Sequence, residues 1–233
     1  TRTGVVTINP IPAAITPSAP QVCQGGTIDL DCSTAGGTWS SLSPAIGTVV
    51  SASGVFTGVA AGTATVRYQL TTTLCARTTV VTVNALPALF TMSPSTANIC
   101  PGTTTAPPCL SGSTAGVTYQ LMNGATPVGG IINGTGAGIC FPGVTTGGTY
   151  TIRATTAAGC TRTMTGSFIV TIHPAATISG ASAVCALNST TLVGSPSGTG
   201  SSWVSSSPSA VSISSGGVAT GGPTSGLCAT ITY

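Results

Sequence analysis

The chain has 233 residues, five of them Lys or Arg and two Asp or Glu, with one histidine and a formal net charge of +3. Charged residues are 3% of the total, against about 25% in an ordinary globular protein, which leaves too few carboxylates for a calcium cage and too few cations for a phosphate-neutralising surface. General acid–base chemistry needs placed His, Asp, Glu or Lys side chains; only Asp29, Asp31 and His173 are at hand, so the chain is read as not an enzyme, with no cofactor, no metal and no nucleic-acid partner.

Ser, Thr, Gly and Val are poor helix formers. The apolar residues, 41% of the chain, alternate with Thr and Ser in short runs, which predicts strands. No run approaches the roughly 18 apolar residues of a spanning helix, so no membrane span is expected.

In chain order, the first element is Thr1-Arg2-Thr3-Gly4-Val5-Val6-Thr7-Ile8-Asn9-Pro10, an Arg-led β-branched strand with Val5, Val6 and Ile8 as its apolar positions. The chain begins inside this run, as a processed product or an excerpt would. The proline linker Pro10-Ile11-Pro12 follows and stops the strand from extending. Next come Val22-Cys23, Thr38-Trp39-Ser40-Ser41, Ser43-Pro44-Ala45, Gly54-Val55-Phe56-Thr57-Gly58 and Ala64-Thr65-Val66-Arg67-Tyr68. The opening strand then recurs as Ala76-Arg77-Thr78-Thr79-Val80-Val81-Thr82-Val83-Asn84, with its linker Ala85-Leu86-Pro87. A second, divergent stretch starts at Ile99-Cys100. It closes with Thr161-Arg162-Thr163 running on to Phe168-Ile169-Val170-Thr171-Ile172-His173-Pro174. The third repeats the first: Val184-Cys185, Ser202-Trp203-Val204-Ser205, Ser207-Pro208-Ser209, Gly217-Val218-Ala219-Thr220-Gly221 and Ala229-Thr230-Ile231-Thr232-Tyr233.

The period is about 75 to 85 residues, filled by short alternating strands between Gly and Pro turns. That is the size and pattern of an immunoglobulin-like β-sandwich. The expected fold is all-β: three tandem immunoglobulin-like β-sandwich domains in a linear array. Their boundaries are 11–86, 87–174 and 175–233, with 1–10 a displaced last strand. Trp39 and Trp203 are read as core residues.

The strings Val22-Cys23-Gln24-Gly25-Gly26-Thr27, Ala35-Gly36-Gly37-Thr38-Trp39-Ser40-Ser41 and Gly54-Val55-Phe56-Thr57-Gly58-Val59-Ala60-Ala61-Gly62-Thr63-Ala64-Thr65 resemble bacterial immunoglobulin-like repeats of the group-two type. The resemblance covers the first and third repeats well and the second loosely. It implies a segment of a large secreted surface or adhesin protein of the kind found in the Bacteroidota, and it brings no catalytic residues.

Residues 1–10 match the last strand of a repeat whose body is absent, while Tyr233 matches Tyr68, where the first repeat still has its final hairpin and strand to come. A sandwich short of an edge strand exposes its core and unpaired backbone groups. Two arrangements satisfy this. Either the chain is a stretch of a longer tandem array, or residues 1–10 of one copy, through Val5, Val6 and Ile8, complete the third repeat of another by strand addition, a head-to-tail contact that propagates as an open filament.

Nine cysteines in a chain this poor in charge point to an oxidising, secreted or cell-surface location. The repeat frame puts Cys23 and Cys75 near the start and last hairpin of the first repeat, and Cys100 and Cys160 in the same places in the second. The expected bridges are therefore Cys23–Cys75 and Cys100–Cys160. Cys109 is paired with Cys140, and Cys185 with Cys228 as a substitute partner; Cys32 is left without a mate. Asn133-Gly134-Thr135 and Asn188-Ser189-Thr190 fit the glycosylation sequon. Asp29 and Asp31, two apart on a strand, share a face and are candidates for an ion pair with Arg67 or Arg77.

The function expected is that of a structural subunit or segment of an extracellular filament or surface stalk. Its partners would be copies of itself in a head-to-tail polymer, or adjoining repeats. The alternative is a ligand- or glycan-binding adhesin module, whose mark would be an exposed aromatic cluster or a calcium site.

Overall fold

In the computed structural model, residues 4, 6–197 and 201–233 are described, and they contain strands but no helix. The fold is all-β, immunoglobulin-like sandwiches in tandem. By packing, the chain divides into two compact units. One comprises residues 1–95, 107–142 and 148–169; the other comprises 96–106, 143–147 and 170–233.

The first repeat holds β1 (Ile15–Thr16), β2 (Gln21–Cys23), β3 (Thr27–Asp29), β4 (Asp31–Cys32), β5 (Gly37–Ser41), β6 (Gly47–Val49), β7 (Val55–Gly58), β8 (Gly62–Leu70) and β9 (Ala76–Asn84). One sheet runs β2-β9-β8-β5; β3-β7-β6 and the short pair β1-β4 make up the other layer. The chain switches layers between β1 and β2, so that β2 joins β9 in parallel, Val22 opposite Val83. The strand β8 shows why this sequence makes a sandwich. Ala64, Val66, Tyr68 and Leu70 are buried, while Thr65, Arg67 and Gln69 between them face outward, the period of two that a half-buried strand requires. On β9, Val81 and Val83 are 0% and 2% exposed, whereas Val80 is 54% exposed. These side chains meet Ile15, Val22, Leu30, Trp39 and Phe56 in one core. The Trp39 and Tyr68 rings lie 4.8 Å apart. The Tyr68 hydroxyl donates to the Thr34 carbonyl at 2.6 Å and accepts from the Gly37 amide at 2.9 Å, so this buried phenol keeps its polar end satisfied.

The second repeat holds β10 (Met92–Ser93), β11 (Thr96–Ile99), β12 (Cys109–Leu110), β13 (Thr118–Asn123), β14 (Thr126–Asn133), β15 (Ile139–Cys140), β16 (Gly148–Thr155), β17 (Thr161–Thr163) and β18 (Phe168–Ile172). Its sheets are β10-β12-β15 and β11-β18-β16-β13-β14, with β17 also on β16. The divergence seen in its sequence is the β13–β14 hairpin, an added edge strand with a register shift between Tyr119 and Leu121.

The third repeat holds β19 (Thr177–Gly180), β20 (Ser189–Ser195), β21 (Val204–Ser205), β22 (Val211–Ile213), β23 (Val218–Gly221) and β24 (Ile231–Thr232). One sheet, β19-β20-β23-β22, is complete by the standard of the first repeat. The other contains, among the described residues, β21 and β24 alone, where the first repeat has four strands.

Candidate functional site

The positions that form the core of the first repeat have direct counterparts in the third, fixed by shared pairing and turns. Ile178 opposes Gly194 as Ile15 opposes Cys32. The Leu192 amide donates to Gly217 O as the Leu30 amide donates to Gly54 O. Ser205 Oγ caps the Val211 carbonyl at 2.6 Å as Ser41 Oγ caps that of Gly47. Trp203 and Tyr233 pack at 4.6 Å, as Trp39 and Tyr68 do. Burial, however, is lost. Ile15, Val22, Leu30, Ala64 and Val66 are buried, yet Val184, Leu192, Ala229 and Ile231 are only half-buried and Ile178 is exposed. Trp203, read as core, is likewise half-buried.

At this place lies a groove of about 440 Å³ whose lining includes Ile178, Val184, Leu192, Val211, Ala219, Leu227 and Ile231. In the first repeat the equivalent space lies under β9, between β2 and β8, and is filled by Val81 and Val83. The groove is open; Ser179, Ser182 and Thr190 share its lining with these apolar side chains, Val184 stands on one side and Leu227, Cys228, Ala229 and Ile231 on the other.

The candidate donor residues lie at the start of the chain. Val5 is outside the described residues. Val6 and Ile8 are 89% and 93% exposed, and residues 6–10 form no strand. Aligned on their shared pattern, Val6 and Ile8 match the buried Val81 and Val83, and Val5 matches the exposed Val80.

Of the four expected bridges the structure contains one, Cys109–Cys140, and lacks Cys23–Cys75, Cys100–Cys160 and Cys185–Cys228. The structure joins Cys109 to Cys140 on the neighbouring strands β12 and β15, but it joins Cys23 to Cys160, 137 residues apart. Cys32, Cys75, Cys100, Cys185 and Cys228 are free thiols. The expected Cys23–Cys75 bridge fails because the two lie at opposite ends of β9. Cys23 is in register with Asn84, whereas Cys75 precedes Ala76. Nine strand residues separate them by roughly 25–30 Å, far beyond the reach of a disulfide. Cys100–Cys160 fails likewise: Ile99, next to Cys100, accepts from His173 beyond the end of β18, while Cys160 precedes the start of β17. Cys185 and Cys228 stand on either side of the strand position that β9 fills in the first repeat, about two strand spacings apart.

The expected ion pairs are also absent from the described side chains. Asp29 and Asp31 are both exposed beside buried Leu30 and do share a face, but they sit on the opposite sheet from β8 and β9. Arg67 Nε donates instead to Ser40 Oγ at 3.3 Å, and an Arg77 guanidinium nitrogen to the Pro12 carbonyl at 3.2 Å. Asn133 and Asn188 are exposed. His173 is exposed in the segment before Pro174. No group of three or more His, Cys, Asp or Glu that could hold a metal occurs among the described residues. Among the described residues, no helix is long and apolar enough to cross a membrane.

No protein-family model matches the chain, and no curated protein is significantly similar to it. Solved structures similar to it include titin domains I67–I69 in an E-to-A variant, at 11% identity and a TM-score of 0.36 over 91% of this chain and 87% of that one. Mouse cadherin-23 EC22–24 gives 13% identity and a TM-score of 0.31 over 91% and 88%. Domains 4 and 5 of the S-layer protein SbsC give 18% identity and a TM-score of 0.25 over 62% and 82%. At such identities and scores these likenesses say nothing of what this chain binds.

Proposed function

We propose that the chain is a structural segment of an extracellular filament or surface stalk, assembled head to tail, in which residues 4–10 of one copy lie in the groove of the third repeat of the next. The observation that carries this reading is the match between an unfilled groove, lined in part by Ile178, Val184, Leu192 and Ile231, and an unburied strand sequence of the type that fills the same place elsewhere in the molecule. The register follows from the first repeat. By analogy with the β8–β9 and β2–β9 pairs, Val6 comes opposite Ala229, Thr7 opposite Cys228 and Ile8 opposite Leu227, while Ile8 also lies beside Val184. Val6 and Ile8 then face the groove floor, each gaining about 1.5–3 kcal/mol from burial. The ladder supplies backbone partners at about 0.5–1.5 kcal/mol net per bond.

The low charge supports the same reading, because neutral chains associate without repulsion. Two disulfides support an oxidising compartment outside the cell, as does the resemblance to group-two repeats of secreted surface proteins. The test is uptake of a fluorescent peptide of residues 2–10 by the full chain, read by anisotropy. Saturable binding is expected. A chain that binds no peptide and sediments as a monomer overturns the reading, and leaves tandem continuation as the way the groove is closed.

A further inference from the structure

The Cys23–Cys160 bridge links the end of β2 in one repeat to the last hairpin of the following repeat, and its surroundings occur twice. At the first join, β9 ends at Asn84, in register with Cys23. Three residues on, the Pro87 carbonyl accepts from Arg162 at 3.3 Å. Cys160, two residues before that arginine, closes its hairpin through the Thr156 amide to Cys160 carbonyl bond at 2.9 Å. At the start of the chain the same set is present. Asn9 stands three residues before Pro12, whose carbonyl accepts from Arg77 at 3.2 Å. Cys75, two residues before that arginine, closes its hairpin through the Leu70 amide to Cys75 carbonyl bond at 2.9 Å. The Cys75 thiol lies 3.8 Å from the Asn9 carbonyl. The first repeat thus presents everything that receives a Cys23-type cysteine, with its own thiol free.

That cysteine has one counterpart bordering the groove. Cys185 follows Val184 as Cys23 follows Val22. A Cβ on Gly221 would approach the Cys185 carbonyl and the Val184 side chain, as one on Gly58 would approach the Cys23 carbonyl and the Val22 side chain. Cys185 is free and exposed. On the strand-completion reading given above, Asn9 of the incoming copy takes the place beside Cys185 that Asn84 holds beside Cys23. It brings along the Cys75 thiol it already touches.

We propose that the head-to-tail join is locked by an intermolecular disulfide between Cys185 of one copy and Cys75 of the next. Two thiols lose two protons and two electrons to form the S–S bond. A small-molecule disulfide accepts them by exchange and leaves as two thiols. Cys100 sits at the Cys23-equivalent position of the second repeat, but the described part of the third repeat offers it no last-hairpin cysteine, so Cys100 serves as the control thiol.

The test uses the full chain, concentrated with oxidised glutathione, and analysed by non-reducing electrophoresis, peptide mass mapping and sedimentation. A ladder of covalent oligomers is expected, with Cys75 and Cys185 in one cross-linked species, collapsing to single chains with dithiothreitol. Cys75→Ser or Cys185→Ser abolishes the ladder while leaving non-covalent polymers; Cys100→Ser leaves the ladder intact. Polymers without a ladder, or a ladder running through Cys100 or Cys228, overturn the disulfide and spare strand completion. Absence of both polymers and ladder overturns the two together.

Discussion

Cutting back the side chains of the donor strand to alanine, one at a time, reads out the geometry of the groove. If residues 4–10 adopt the place of β9, the side chains must alternate as they do there, with Val81 and Val83 0% and 2% exposed and Val80 54% exposed. In a peptide of residues 2–10, Ile8→Ala removes three carbons from a buried position, about 2.4 kcal/mol at ~0.8 kcal/mol per methylene, or ~50-fold in Kd. Val6→Ala removes two, about 1.6 kcal/mol and ~15-fold on the same scale. Val5→Ala and Thr7→Ala, at the outward positions, cost less than ~3-fold by the same reasoning. Because the changes are made in the peptide, the folding of the protein is untouched. Anisotropy titrations at chain concentrations below those that polymerise give the four ratios. Equal losses at Val5 and Val6, or no loss at Ile8, would refute the register and the strand geometry with it.

Three further outcomes follow from the same structure. Gly54 has a φ of +78° and a Cβ there would meet the Leu30 carbonyl at 2.3 Å; Gly54→Ala should destabilise the first repeat by about 2–4 kcal/mol, seen as a lower urea midpoint. The Cys109–Cys140 bridge closes a loop with a sequence separation of 31, so the double serine variant should lose about 3–4 kcal/mol in thermal or urea unfolding, and a loss under about 1 kcal/mol would contradict that loop-closure account. With 3% charged residues, peptide affinity should shift less than about twofold between low and high salt; a steep salt dependence would place charged contacts in the join.

The strand pattern and the repeat were legible in the sequence because both are written in residues with few substitutes. Gly54 and Gly217 each have positive φ, and a Cβ at either would strike the backbone carbonyl of the facing strand; they mark the same turn in both repeats. Ala64, Val66 and Tyr68 alternate with polar residues because one face of β8 is core. Of the cysteine pairing, Cys109–Cys140 was legible, and the partner of Cys23 was not. Alignment of repeats says which cysteines are equivalent, and equivalence places Cys23 and Cys75 in one repeat without saying that β9 lies lengthwise between them. The true partner of Cys23 belongs to the next repeat, brought near by the linker, and nothing local to either cysteine encodes that. The same holds for Asp29 and Asp31. Their shared face could be read from spacing, but which layer β3 joins is decided by the whole sandwich, and it sets them apart from Arg67 and Arg77. The open groove was half legible: the described residues of the third repeat hold no counterpart of β9, which could be counted, while the consequence for Ile178, Leu192 and Ile231 needed the packing.

The most direct test is the state of the full chain in solution. Sedimentation velocity and negative-stain microscopy of the wild-type chain and of Val6→Asp/Ile8→Asp should be run across a range of concentrations. These two side chains are 89% and 93% exposed in the single chain, so the double change leaves its folding intact. The account predicts concentration-dependent head-to-tail fibres for the wild type and folded monomers for the variant. Wild-type chains that remain monomeric at high concentration, or fibres that form equally well with aspartate at both positions, would contradict it.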